Sequence, residues 1–292
     1  MKYLKVLLAS LLIFGIWSTS RATDASVIDK ARDIESRLSA RVGVVIIDTG
    51  SERRWTYNAH DRFPMASTFK VFACGALLHQ VDAGKDNLDR TMSIAQADLV
   101  THSPVLDRLV GQQISARDLC AATLRTSDNA AANKILERIG GPAGWTQFMR
   151  RIGDETTRLD RVEPALNEAR PGDVRDTTSP AAIASALRVL VLGDALSPSS
   201  RELLTSWMMA NEVGGPLLRA SIPATWVIAD RTGAGGHGAR GIIAVMWPPA
   251  RAPIVAAIYI AETEASMEDR NAAIADLGAA LAAEVSQLAP AP

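Results

Sequence analysis

A serine hydroxyl is a weak nucleophile until a base or an altered electrostatic setting activates it. The stretch FPMASTFKVFACGALLHQ, residues 63–80, places Ser67 three residues before Lys70. In a helix, positions i and i+3 share a face, so the two side chains can meet. Pro64 suits the approach to a helix start, where backbone N–H groups and the positive end of the dipole would surround Ser67. Apolar Phe69, Val71 and Phe72 would desolvate Lys70, and a desolvated lysine can take up a proton from a hydroxyl. Alone, Ser-x-x-Lys is common by chance and reads equally as a helix-start serine beside a surface lysine.

Three further segments carry polar chemistry. Thr126-Ser127-Asp128-Asn129 opens a helical run and by itself reads as a helix cap. RVEPALNEARPGDVRDTT, Arg161 to Thr178, is rich in Pro, Asn and charge and reads as an ordered loop. Asp230-Arg231-Thr232-Gly233 ends a strand and enters a Gly-rich turn. Gly233 to Gly238 satisfies G-x-G-x-x-G, but a dinucleotide site needs a helix next and ARGIIAVMW reads as a strand. These glycines read instead as a hairpin with room for a substrate against the strand edge. His60, His79, His102 and His237 lie far apart without paired ligand spacing, so neither a metal nor a cofactor is expected.

The elements that must position these residues follow from periodicity. Asp24 to Ala40 has Val27, Ala31, Ile34 and Leu38 on one helical face. RVGVVIID (41–48) and RRWTYNA (53–59) read as strands, as do TWVIADRTG, ARGIIAVMWP and APIVAAIYIA after Pro223. Between Phe63 and about Trp207 the pattern is helical, with candidates at Thr68–Ala83, Ala116–Arg125, Asn129–Ile139, Gly144–Ile152 and Pro180–Leu190. A last helix spans Ser266 to about Ala289. The expected architecture is a two-lobed α/β (α+β) fold. An antiparallel five-stranded sheet flanked by the terminal helices is built from 23–60 and 208–292. An inserted all-helical domain spans 61–207, and the site lies in the cleft between the two.

Composition narrows the function classes. Lys+Arg 31 against Asp+Glu 32 gives a net charge of -1, with no dense basic block, so nucleic acid is not an expected partner. The opening MKYLKVLLASLLIFGIWSTSRATDA has basic Lys2 and Lys5, an apolar run from Val6 to Trp17 and a small-x-small Ser20-Arg21-Ala22. It reads as a signal peptide cleaved near Ala22, leaving no stable membrane association. An uncleaved anchor is the alternative, but the apolar run is short for a bilayer span. In an exported chain Cys74 and Cys120 read as one disulfide, the alternative being two buried thiols.

Taken together in this order, Ser67-x-x-Lys70, Ser127-Asp128-Asn129, the Arg161–Thr178 loop and Arg231-Thr232-Gly233 resemble class A serine β-lactamases. The strings FPMASTFKV, GGP, TRLDRVEPALNEA, RDTTSPAA, GPLLR and GARGIIA extend the resemblance over essentially the whole chain beyond the signal. The resemblance implies a monomeric periplasmic hydrolase of small-molecule β-lactams that confers antibiotic resistance. Ser67 would form an acyl-enzyme, Lys70 would take part in proton transfer and Ser127 would protonate the leaving nitrogen. Glu163 and Asn167 would hold and activate the hydrolytic water. The N–H groups of Ser67 and Ala234 would form the oxyanion hole. Asn129, Arg231, Thr232, Gly233 and Arg240 would bind substrate, His102 would wall the cleft, and Arg161 with Asp176 would close the loop. The family also suggests a cis Glu163–Pro164 bond.

One departure stands out. Arg231 occupies a position where the family more often has lysine, and R-T-G with GAGGHGARG resembles the carbenicillin-hydrolysing branch. That resemblance implies carboxypenicillins among the substrates, and arginine offers a planar fork for carboxylates that lysine lacks. Ala66 and Gly235 rule out a second disulfide at the site, so weak carbapenem activity is expected. Gly235 and Gly236 suggest poor turnover of oxyimino cephalosporins. A D,D-peptidase, a β-lactam sensor and an unreactive binding protein are the rival readings, and Glu163 with Asn167 argues against the first.

Overall fold

A computed structural model describes residues 26–288. The signal at 1–22 lies outside these, as do residues 24 and 25 and Ala289 of the expected terminal helices. Along the chain, α1 (Val27–Arg37) precedes β1 (Arg41–Asp48) and β2 (Arg54–Tyr57). β3 (Phe63–Pro64) leads through a 3-10 turn at Ala66–Thr68 into α2 (Phe69–Asp82). There follow β4 (Thr91–Ser93), β5 (Gln113–Ser115), α3 (Ala116–Thr126), α4 (Asn129–Ile139) and α5 (Gly141–Arg151). Then come β6 (Thr177–Thr178), α6 (Pro180–Val191) and α7 (Pro198–Met209). β7 (Val227–Ala234), β8 (Arg240–Trp247), β9 (Ile254–Ala261) and α8 (Met267–Gln287) complete the chain.

Four eight-residue strands and the shorter β2 form the antiparallel five-stranded sheet that the sequence suggested, in the order β2-β1-β9-β8-β7. β1, β8 and β9 are apolar at nearly every position because both faces are covered. Val42, Val44, Ile46, Ile242 and Ile258 face α1 and α8. The alternate set, including Val45, Ile47, Ile243 and Val255, joins the larger core with α2 and α6. Gly43 sits in β1 because a Cβ there would lie 2.4 Å from the Phe63 ring.

The ends of the elements are set by local chemistry. Ser26, Ser115, Asp128, Ser179, Ser197 and Ser266 each accept a backbone N–H as N-caps. α2 is buried from Phe69 to Leu78 on all sides, the pattern of a central core helix. Cys74 in this helix and Cys120 in α3 form a disulfide with Cα atoms 5.7 Å apart. Two short ladders, β3 with β6 and β4 with β5, interrupt the helical middle where only helices were expected. No helix among the described residues is long and apolar enough to cross a membrane.

Candidate active site

Ser67 lies in the 3-10 turn that feeds α2, and Lys70 lies in the first turn of α2, fully buried. The turn begins with Ala66 at φ 43°, a left-handed conformation that an alanine adopts only at a cost. Gly233 makes the approach of β7 to this turn feasible: a Cβ there would be 2.7 Å from Met65 O and 3.1 Å from Ser67 N. The backbone of β7 therefore runs beside the Ser67 amide.

Lys70 meets Ser67 through an intermediary. Its Nζ donates to Ser127 O at 2.9 Å, Ser127 Oγ at 3.2 Å and Asn129 Oδ1 at 2.5 Å. The Ser127 hydroxyl in turn donates to Ser67 Oγ at 3.2 Å. Ser127 has φ 67° and forms the left-handed C-cap of α3, and Asp128 immediately caps α4. This two-helix junction turns Ser127 toward Ser67. Buried Asp128 fixes the junction by accepting from Ala131 N at 2.8 Å, Val105 N at 2.9 Å and Leu106 N at 3.0 Å. The Asn129 side chain donates to Thr101 O, and the Asn129 amide donates to His102 O. His102 Nε2 lies 3.0 Å from Thr126 O.

The Arg161–Thr178 loop delivers Glu163. Its Oε1 is 3.2 Å from Lys70 Nζ, and both side chains are fully buried. Asn167 Nδ2 donates to Glu163 Oε2 at 2.5 Å. Apart from the Lys70 ion pair, Glu163 Oε1 accepts nothing from the described residues, and neither does Asn167 Oδ1. The Glu163–Pro164 peptide is cis. Arg161 Nε is 2.6 Å from Asp176 Oδ2, and Asp176 Oδ1 accepts from the amides of Asp160 and Arg161. Asp176 O also accepts from Met65 N at 3.0 Å, tying the loop's end to the turn that carries Ser67. Sequence reasoning missed Asn133, which clamps the Glu163 backbone with two hydrogen bonds of 2.9 Å. Its position one helical turn beyond Asn129 was the available signal.

Burial pulls Lys70 down to about 8. The Glu163 carboxylate raises it and Arg231 lowers it further. Arg231 is fully buried, and desolvation lowers it to about 10, against the pull of Asp230 and Glu163, so it stays protonated at neutral pH. Its Nε and Nη1 donate to Ser67 O and Leu124 O, each at 3.2 Å, and its Nη2 donates to Ser127 Oγ. The guanidinium fork thus engages protein oxygens. Behind it, Asp230 is raised by burial while Arg219 and Asn211 bind its carboxylate.

Arg240 pairs in register with Ala234 and donates to Gly233 O at 3.1 Å and Asn271 Oδ1 at 2.8 Å. Burial lowers it to about 10, helped by Arg270. A cleft of about 390 Å³ brings together Ser67, Ser127, Asn129 and Asn167 with Thr232, Gly233, Ala234 and Arg240. His102, Val213 and Met267 complete its wall, the last two unflagged by the sequence. Lys70, Glu163 and Arg231 lie buried behind that surface.

Two hydrogen-bonded serine hydroxyls at a cleft, a buried lysine–carboxylate pair behind them and the backbone of β7 along one wall suit acyl transfer to serine followed by hydrolysis. Known proteins agree. Residues 26–285 match the β-lactamase enzyme family. The chain is 52% identical over 276 residues to β-lactamase PSE-4 of Pseudomonas aeruginosa, covering 94% of this chain and 96% of that protein. It is 49% identical over 256 residues to β-lactamase AER-1 of Aeromonas hydrophila, covering 87% and 84%. An ancestral class A β-lactamase superposes with TM-score 0.87 at 49% identity, covering 89% of this chain and 100% of that one. The chromosome-encoded β-lactamase of Vibrio parahaemolyticus superposes at 0.88 with 42% identity, covering 90% and 100%. The chain belongs to the β-lactamase family as a carbenicillinase-like class A serine enzyme, and the reaction it catalyses is β-lactam hydrolysis.

Proposed function

We propose that Ser67 Oγ attacks the β-lactam carbonyl and that its proton leaves toward the Lys70–Glu163 pair. The developing oxyanion lies against the N–H groups of Ser67 and Ala234. As the ring C–N bond breaks, Ser127 gives its proton to the departing nitrogen. Lys70 Nζ, which donates to Ser127 Oγ, passes the proton taken from Ser67 on to Ser127, while Arg231 Nη2 donates to the same oxygen, so Ser127 is a hydroxyl again and Glu163 a carboxylate before deacylation. The observation that carries this reading is the continuous hydrogen-bonded chain Ser67–Ser127–Lys70–Glu163.

The acyl ester then requires an activated water. Glu163 Oε1 and Asn167 Oδ1 are the buried acceptors with capacity to take a water's protons, and the carboxylate is the stronger base. Glu163 accepts one proton, hydroxide adds to the ester carbon, and Ser67 leaves with a proton.

Arg240 lines the cleft and serves the substrate's ring carboxylate. Asn129 holds the side-chain amide, Thr232 and Gly233 hold substrate along β7, and His102 walls the far side. Arg231 acts on carboxypenicillins through Ser127 and through its charge. Gly235 and Gly236 press on the loop, since a Cβ at either would lie 2.9 Å from Asn167 O or 2.5 Å from Glu168 O. That closeness supports poor access for oxyimino cephalosporins. We place the mature enzyme in the periplasm as a monomer that protects the cell from penicillins, with 23–60 and 208–292 as the sheet lobe and 61–207 as the helical lobe.

Incubation with benzylpenicillin followed by intact-mass analysis tests the assignment. Ser67→Ala should form no adduct and lose turnover. An adduct on Ser67→Ala would move the nucleophile elsewhere, and a persistent wild-type adduct with little turnover would indicate a penicillin-binding protein or sensor.

A further inference from the structure

A second cavity, of about 330 Å³, opens on the side of the helical lobe. It lies between the C-terminal half of α2 and α5, with Ile139 at the end of α4 on its wall. Along α2, His79 is nine residues from Lys70, about 14 Å at the helical rise, so the cavity is separate from the catalytic cleft. Its apolar contribution comes from Ala76, Ile139 and Phe148, all buried. The His79 ring lies 5.7 Å from the Phe148 ring, which gives the cavity an aromatic wall.

The charge of this cavity is one-sided. Lys85 and Arg151 both line it and both are exposed. Among the described residues neither has an ion-pair partner, although most arginines of this chain are matched to carboxylates. No acidic side chain lines the cavity, while the amides of Gln80 and Gln147 do. An apolar floor with two unmatched cations and two amides at the mouth is the arrangement that holds a flat anion: the body is desolvated and the charge stays at the rim.

The geometry points to a second binding site, between α2 and α5, for a small aryl carboxylate or aryl sulfonate. The ring system packs on Phe148 and Ala76, and the anion meets Lys85 and Arg151. The competing account is that these two cations only offset the partial negative charge at the ends of α2 and α5. The two accounts differ in what the cations do for a ligand.

The test is an NMR amide-shift titration of the full-length mature protein with naphthalene-2-sulfonate, and with neutral 2-naphthol as the control. The expected result is saturable shifts confined to residues 76–85 and 139–151, with 2-naphthol binding at least about tenfold more weakly. K85Q/R151Q should weaken the sulfonate by at least about tenfold while hydrolysing benzylpenicillin like wild type, which shows that the fold is kept. Shifts concentrated at 232–240, equal affinity in the double variant, or no saturation at millimolar probe would each overturn the proposal.

Discussion

The Asn133 side chain both donates to and accepts from the Glu163 backbone. Asn133 Nδ2 donates to Glu163 O at 2.9 Å, and Glu163 N donates to Asn133 Oδ1 at 2.9 Å. The carboxylate that faces Lys70 is thus held by α4 as well as by its own loop, and Asn133 is a positioning residue. Asn133→Ala should slow deacylation by about 10- to 100-fold, since small displacements of a reacting group cost that much. The acylation burst should be nearly unchanged and the acyl adduct should accumulate. An equal loss in both steps would show general destabilisation instead.

Lys70 gives a pH signature. Its folded-state pKa of about 8 lies below the ordinary lysine value near 10.5. The unfolded chain therefore binds more protons between those values, and stability should rise with pH across that window. Urea unfolding from pH 8 to 10.5 should show this rise in wild type and a flatter profile in Lys70→Met. Glu163→Gln removes the carboxylate that raises Lys70, so Lys70 should titrate lower still. Lysine NMR titration of both proteins checks the direction, and an upward shift would contradict the electrostatics.

Arg231 separates substrate preference from simple anion binding. A lysine could not reproduce its three contacts to Ser67 O, Leu124 O and Ser127 Oγ. Arg231→Lys should lower carbenicillin kcat/KM several-fold more than benzylpenicillin kcat/KM. An unchanged ratio would break the link between this arginine and carboxypenicillins.

The disulfide ties α2 to α3 across 46 residues of sequence. The chain-entropy model assigns a loop of that span about 4 kcal/mol. Cys74→Ala/Cys120→Ala should lose up to that amount in urea unfolding and keep penicillin turnover at 25 °C. Unchanged stability would place the constraint in packing alone.

The strands of the main sheet were legible because β-branched and aromatic runs bounded by turns are a local signal, and most helices because their apolar periodicity is equally local. What the sequence could not display were relationships made by folding. α7 carries only four buried residues and a mixed pattern, so it stayed inside a general helical reading. The β3–β6 ladder pairs residues more than a hundred positions apart over two residues each, too short to show periodicity. At the site, Ser67 and Lys70 stood out by residue type and spacing, and Glu163 through the family resemblance of its loop. Asn133 did not, because it acts through the backbone of a distant loop, and the helix cap read at Asp128 did not show its further bonds to Val105 N and Leu106 N. The simple picture of Lys70 touching Ser67 missed Ser127 between them, since its left-handed turn is not encoded by side-chain spacing.

The most direct test of the account is carbenicillin hydrolysis by the purified mature protein beside Glu163→Ala, with intact-mass spectra of both. The account predicts rapid turnover without a lasting adduct in wild type, and a trapped acyl-enzyme on Ser67 in the variant. Turnover by Glu163→Ala close to wild type, with no adduct, would contradict the role assigned to Glu163 and to the loop that delivers it.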